Sequence, residues 1–126
     1  MSYKNILLID DDSDDAEIFL EAVQELKKNI SCNVLSSALE AYDQLINQRL
    51  HPDIIFLDHN MPVMGGEKFL AKIKSNDELR YIPVFILSTS SNPSAIDRIK
   101  QMGAIDFIIK PNSFKGLVRV LESVLC

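Results

Sequence analysis

The sequence predicts an α/β protein: five parallel strands in one doubly wound sheet, with helices on both faces. Two observations lead there. Short apolar runs alternate with segments of helical apolar spacing along the whole chain. The runs, such as Ile6-Leu7-Leu8-Ile9 and Ile54-Ile55-Phe56-Leu57, are continuous rather than alternating with polar residues, as strands covered on both faces are.

The first strand is expected over residues 4–10. Ser13 then serves as the N-cap of a helix whose stripe is Ala16, Phe19, Leu20 and Val23, at i, i+3, i+4 and i+7. A second strand over 32–36 leads to Ser37 as cap and to the stripe Ala38, Ala41, Tyr42 and Leu45. A third strand over 53–58 precedes a helix over 66–74 carrying Phe69, Leu70 and Ile73. The fourth strand, 84–88, is followed by Asn92 as cap, Pro93 at the first helical position, and a helix bearing Ala95, Ile99 and Met102 that ends at Gly103. The fifth strand, 105–109, leads to a last stripe of Phe114, Leu117, Val118 and Leu121. This is (βα)₅ with short connections, and the flavodoxin-like strand order 2-1-3-4-5 makes strands one and three neighbours. Ligands of such sheets sit beyond the carboxyl ends of the strands, at the switch point.

Composition sets bounds on function. At 126 residues, 47% apolar and 25% charged, the chain is expected to be one globular domain, 1–126. Its net charge of −5 and its 13 scattered basic residues argue against a nucleic-acid surface. No apolar run reaches the length of a membrane span, and the N-terminus enters a strand directly with no visible signal peptide. Cys32 and Cys126 have no metal-ligand spacing and read as free thiols of a cytoplasmic protein.

The placement of charge carries the chemistry. Asp10, Asp11 and Asp12 follow the first strand, Asp58 ends the third, and Lys110 closes the fifth. Carboxylates gathered at one sheet edge repel one another and call for a cation. Acid, acid and base at strand ends point to phosphoryl chemistry around Mg²⁺. Asp58 is the candidate nucleophile, since a carboxylate can take a phosphoryl group as an acyl phosphate. Asp11 and Asp58 are expected as direct ligands of Mg²⁺, with Asp10 holding a metal-bound water. The acidic run leaves Asp12 as the alternative to Asp11. Lys110 can pair with Asp58 at rest and with a phosphoryl oxygen after transfer. The Ser88 hydroxyl can donate to such an oxygen, although Ser88-Thr89-Ser90-Ser91 is also an ordinary hydroxyl-rich turn. Phe107 reads most simply as packing.

Four motifs in order along nearly the full length resemble the receiver domain of two-component response regulators. They are Ile9-Asp10-Asp11, the stretch from Asp58 through His59, Asn60, Met61 and Pro62 to Gly66, Phe85-Ile86-Leu87-Ser88-Thr89, and the stretch from Gly103 to Lys110-Pro111. The resemblance implies that a histidine kinase or a histidine phosphotransfer protein donates a phosphoryl group to Asp58. It also implies Mg²⁺ held by Asp11, Asp58 and the main-chain carbonyl of Asn60, and it selects Asp11 because the family's acidic pair directly follows the strand. Ser88 takes the switch hydroxyl position and Phe107 the switch aromatic position. The Lys110–Pro111 bond is expected to be cis. The resemblance is to stand-alone receivers, so no output domain is expected after the fifth helix; such receivers signal by altered protein binding or onward phosphotransfer and are not turnover enzymes. The downstream target and the oligomeric state stay open.

Two residues depart from the family pattern. His59 stands after the acceptor where an apolar residue is usual, and reads as a rim imidazole; Phe107 lacks the hydroxyl of the more frequent tyrosine. Two rivals were weighed. A Mg²⁺-dependent phosphatase of the haloacid dehalogenase type needs D-x-D-x-T after strand one, and here Asp14 stands where threonine belongs. A phosphorylation-independent interaction module has no need of Asp11, Asp58, Ser88 and Lys110 together. A dinucleotide carrier is disfavoured because an acidic run replaces the glycine-rich loop.

Overall fold

The computed structural model describes residues 3–26, 29–59, 66–89 and 92–126. In chain order the elements are β1 (Asn5–Ile9), α1 (Ser13–Glu25), β2 (Ser31–Leu35), α2 (Ala38–Ile46), β3 (Ile54–Asp58), α3 (Gly66–Ser75), β4 (Val84–Ser88), α4 (Pro93–Gln101), β5 (Asp106–Ile109) and α5 (Phe114–Leu125). All four strand pairings are parallel, and the order is β2-β1-β3-β4-β5, as the sequence predicts. Among the described residues no helix is long and apolar enough to cross a membrane.

The continuous apolar runs become the inner strands. Every residue of β3 and β4 is buried, and so is every residue of β1 after Asn5. The edge strands β2 and β5 are partly exposed. Strand side chains alternate between two cores, as a pleated sheet requires. Leu7, Ile9, Ile55, Leu57 and Ile86 face α2, α3 and α4 through Leu45, Phe69, Ile73 and Ile99. Ile6, Leu8, Ile54, Phe56 and Leu87 face α1 and α5 through Ala16, Phe19, Val23, Leu121 and Leu125. Phe56 links helix to sheet on that second face, with Phe19 edge-on at 5.2 Å and Phe85 stacked at 5.6 Å.

Several expected details shift. The N-cap of α1 is Asp12, not Ser13: its extended backbone lets its side chain accept from the Asp14 and Asp15 amides, and Ser13 becomes the first helical residue. Ser37 and Asn92 cap α2 and α4 as expected, with Pro93 at the helix start. Gly103, at φ +113°, follows the end of α4, and an added Cβ there would meet the aliphatic chain of Lys74 at 3.0 Å. Leu20 is only half-buried, and Ala22 takes a place in the α1 core instead. Phe114 is not part of the core on the sheet; it is 40% exposed, while Leu117 and Val118 of the same stripe pack against that core. The Lys110–Pro111 bond is trans, no described residue having a cis peptide. Trans is the form that X–Pro bonds ordinarily favour, by about 0.5–1 kcal/mol.

Candidate functional site

Backbone pairing carries the functional residues to one rim. The ladder continues one residue past the strands: the Asp10 amide donates to the Leu35 carbonyl (3.0 Å), the His59 amide to Leu87 (3.0 Å) and the Lys110 amide to Ser88 (2.8 Å). Asp10, Asp58 and Ser88 therefore end neighbouring buried strands, and they are the buried polar residues of the described chain, at 3%, 6% and 0% exposure. Asp11 is exposed. One carboxylate oxygen from each of Asp10, Asp11 and Asp58 lies within 4.8 Å of the others, a spacing that can hold a metal ion. Asp12 is turned away into its helix cap, which removes it as the alternative ligand. Asn60 lies outside the described residues, so its carbonyl stays a sequence expectation.

The electrostatics fit a cation. Burial pushes the Asp10 carboxyl up to about 6 from an ordinary 3.8. A hydrogen bond from the Asp12 amide (3.0 Å) and the charge of Lys110 oppose the rise, and the charges of Asp58 and Asp15 add to it. A buried carboxylate among other carboxylates is relieved by a proton or by a metal, and the all-oxygen donor set suits a hard divalent ion.

Lys110 supplies the positive charge already present. Its Nζ donates to Asp15 at 3.1 Å and lies 3.7 Å from Asp58 Oδ1 and 3.8 Å from Asp10 Oδ2. Burial works against the ammonium, but the bond to Asp15 and the charges of Asp58 and Asp10 outweigh it and hold Lys110 above its ordinary value. Asp15 was not singled out in the sequence as a Lys110 partner. The available signal was its place in the acidic first turn of α1, just after the strand-end acids.

Ser88 and Phe107, the expected switch residues, lie on the adjacent strands β4 and β5. Ser88 pairs in register with Ile109, beside Lys110. Phe107 is buried, two residues earlier on β5, with its ring edge-on to His59 at 5.9 Å. Alongside, a cavity of about 580 Å³ opens between α1 and α5, lined by Asp10, Asp15, Lys110, Ile18, Phe114 and Leu117, among others. The arrangement is thus an acidic metal-competent cluster, two of whose three carboxylates are buried at strand ends, with one lysine and one hydroxyl.

The chain resembles known proteins in sequence and in fold. The family model described as the response regulator receiver domain matches residues 6–122. The chain is 31% identical to the probable methanogenesis regulatory protein FilR2 of Methanothrix harundinacea, over 94% of this chain and 79% of that protein. Among solved structures, it is similar to the phosphorylated cyanobacterial phytochrome response regulator RcpA (TM-score 0.88, 28% identity, 98% of this chain and 91% of that one). It is also similar to the Mn²⁺-bound form of the response regulator Rcp1 (TM-score 0.86, 27% identity, 96% and 91%).

Proposed function

We propose, from the premise that this chain belongs to the response regulator receiver family, that Asp58 is the phosphoacceptor of a two-component signalling protein. The observation that carries the reading is the convergence of Asp58, Asp10 and Asp11 within one metal-sized cluster, with the Lys110 ammonium 3.7 Å from Asp58. RcpA, solved in a phosphorylated form, and Rcp1, solved with Mn²⁺, support it.

The donor is a histidine kinase or a histidine phosphotransfer protein. An Asp58 oxygen attacks the phosphorus of the phosphohistidine; the new P–O bond forms as the P–N bond to the donor imidazole breaks. Positioning and charge neutralisation dominate such a transfer. Mg²⁺ is the proposed ion, with Asp11, Asp58 and the Asn60 carbonyl as ligands and Asp10 acting through a bound water; when bound it neutralises charge on the phosphoryl oxygens. Lys110 leaves Asp15 to pair with a phosphoryl oxygen, and the Ser88 hydroxyl donates to another. Movement of Ser88 opens room for Phe107 and shifts the population of two packings of the α4–β5–α5 face. The output is altered binding to a downstream protein or onward phosphotransfer, in the cytoplasm, and the chain turns over no substrate of its own.

Incubation with Mg²⁺ and acetyl phosphate, read by intact mass, tests this. One phosphoryl adduct is expected, and none in Asp58→Asn. Absence of an adduct at saturating donor would sink the reading and leave a phosphorylation-independent interaction module ahead.

A further inference from the structure

His59 sits between the rim and α4. Its ring is half-buried and has two neighbours, Phe107 and Glu67. On one side it lies edge-on to Phe107, with centroids 5.9 Å apart and planes at 70°. On the other, its Nε2 is 3.6 Å from Oε2 of Glu67, in the first turn of α3. Both Glu67 oxygens are gripped by Arg98 of α4, Nε to Oε1 at 2.6 Å and Nη2 to Oε2 at 3.0 Å. The hydrogen bond from Arg98 first, and His59 in addition, hold the Glu67 carboxyl below its ordinary range, so this is a carboxylate clamp joining α3 to α4.

Packing alone does not account for an imidazole here. Its Nδ1 is buried and has no hydrogen-bond partner among the described residues. A buried ring nitrogen must find a hydrogen-bond partner or oppose folding, a demand that an apolar side chain at this place would not make. The backbone beneath the ring is fixed on both sides. The His59 amide is bonded to Leu87, and a Cβ added at Gly66 would come within 3.3 Å of the Asp58 carbonyl oxygen and of His59 Cα, so α3 begins tight against this segment. The freedom left is rotation of the ring. A Phe107 side chain that changes place removes the surface against which that ring rests, and a turned ring changes its approach to Glu67.

We propose that His59 is a positioning residue that transmits the state of Phe107 to the Glu67–Arg98 clamp, and through it to α4. This rests on the phosphoacceptor reading, because it takes Phe107 to be the moving part.

The test is heteronuclear NMR of ¹⁵N-labelled full-length protein, with Mg²⁺ present, before and after beryllofluoride as the phosphoryl mimic. In the unaltered protein, resonances around Asp58, the α4 amides and the Arg98 Nε–H are all expected to shift. In His59→Leu the Asp58 region should shift as before, while the α4 and Arg98 responses fall at least twofold. Arg98→Ala, at an exposed position, should cut the α4 response in the same way with the Phe107 amide still responding; it decides the matter if His59→Leu does not fold. A purely structural role for His59 would lower the melting temperature and leave the α4 response whole. An undiminished α4 response in either folded variant overturns the proposal. Silence around Asp58 in the unaltered protein overturns the phosphoacceptor reading itself, and with it this inference; the two failures differ in where the response is lost.

Discussion

Lys110 has its shortest contact with Asp15, at 3.1 Å, and stands 3.7 Å from Asp58, the partner that its motif suggests. The motif places the lysine at the rim; which carboxylate it prefers at rest depends on the rotation of the first turn of α1, set 95 residues away in the chain. Local sequence carries no record of that rotation. The same holds for His59, whose meaning lies in Phe107, Glu67 and Arg98 rather than in its neighbours. Cys32 shows a residue property that burial alone sets. Both cysteines are free, but Cys126 is exposed, whereas burial pushes the Cys32 thiol up to about 12 from an ordinary 9.0. Thiolate is the nucleophile, so iodoacetamide at pH 8 should modify Cys126 well before Cys32 in the folded protein, as read by peptide mass mapping. The sign for stability follows. Between about 9 and about 12 the unfolded chain has lost a proton that the folded chain keeps, so stability contributed by this group is full below pH 9 and falls as pH rises through that window. Equal labelling of the two thiols at pH 8 would contradict this account of Cys32.

Helices and strands were more legible than their boundaries. The strand β4 has the expected bounds and the other strands differ by a residue at one end or both, because a continuous apolar run marks the middle of a buried strand more sharply than its ends. The helical stripes hold at most of their positions and fail at a few, as at Phe114. The sequence reading puts the cap of α1 at Ser13, although Asp12 beside it is an equally good capping type. Geometry settles it: Asp12 has φ −93° and ψ 109°, outside the helix, and its Oδ1 accepts from Asp14 N at 2.9 Å and Asp15 N at 3.1 Å. The consequence reaches the site, since the turn that Asp12 caps also carries Asp15, the resting partner of Lys110. Asp12→Ala is expected to cost about 1 kcal/mol in urea unfolding, within the ~0.5–2 kcal/mol typical of a lost cap. Ser13→Ala should be close to neutral. A larger loss in Ser13→Ala than in Asp12→Ala would return the cap to Ser13.

At the scale of the whole molecule, the sheet order explains why distant carboxylates meet. With β1 and β3 adjacent, Asp10, Asp11 and Asp58 fall together beyond the carboxyl ends of those two strands. This much was readable in the sequence, because strand ends and topology are properties of pattern; the Asn60 contribution was readable only through the family and lies outside the described residues. The cluster has a thermodynamic consequence. Folding brings Asp58 to Asp10 and Asp11, from which the unfolded chain keeps it apart, so a divalent cation binds the native state in preference and stabilises it by RT ln(1 + [L]/Kd), about 2.7 kcal/mol at a concentration 100 times Kd. The melting temperature should therefore climb steadily with the logarithm of Mg²⁺ concentration once Kd is passed. Sodium chloride at matched ionic strength controls for screening, which acts on all surface charges and has no such preference. Asp11→Ala is the informative variant, since Asp11 is exposed and its loss leaves the core intact while removing one oxygen ligand. It should melt near the unaltered protein without Mg²⁺ and lose most of the Mg²⁺-dependent rise. A rise of the same size in Asp11→Ala would mean that the ion sits elsewhere, and then the adjacency of β1 and β3 would have gathered acids at the rim without making them a metal site.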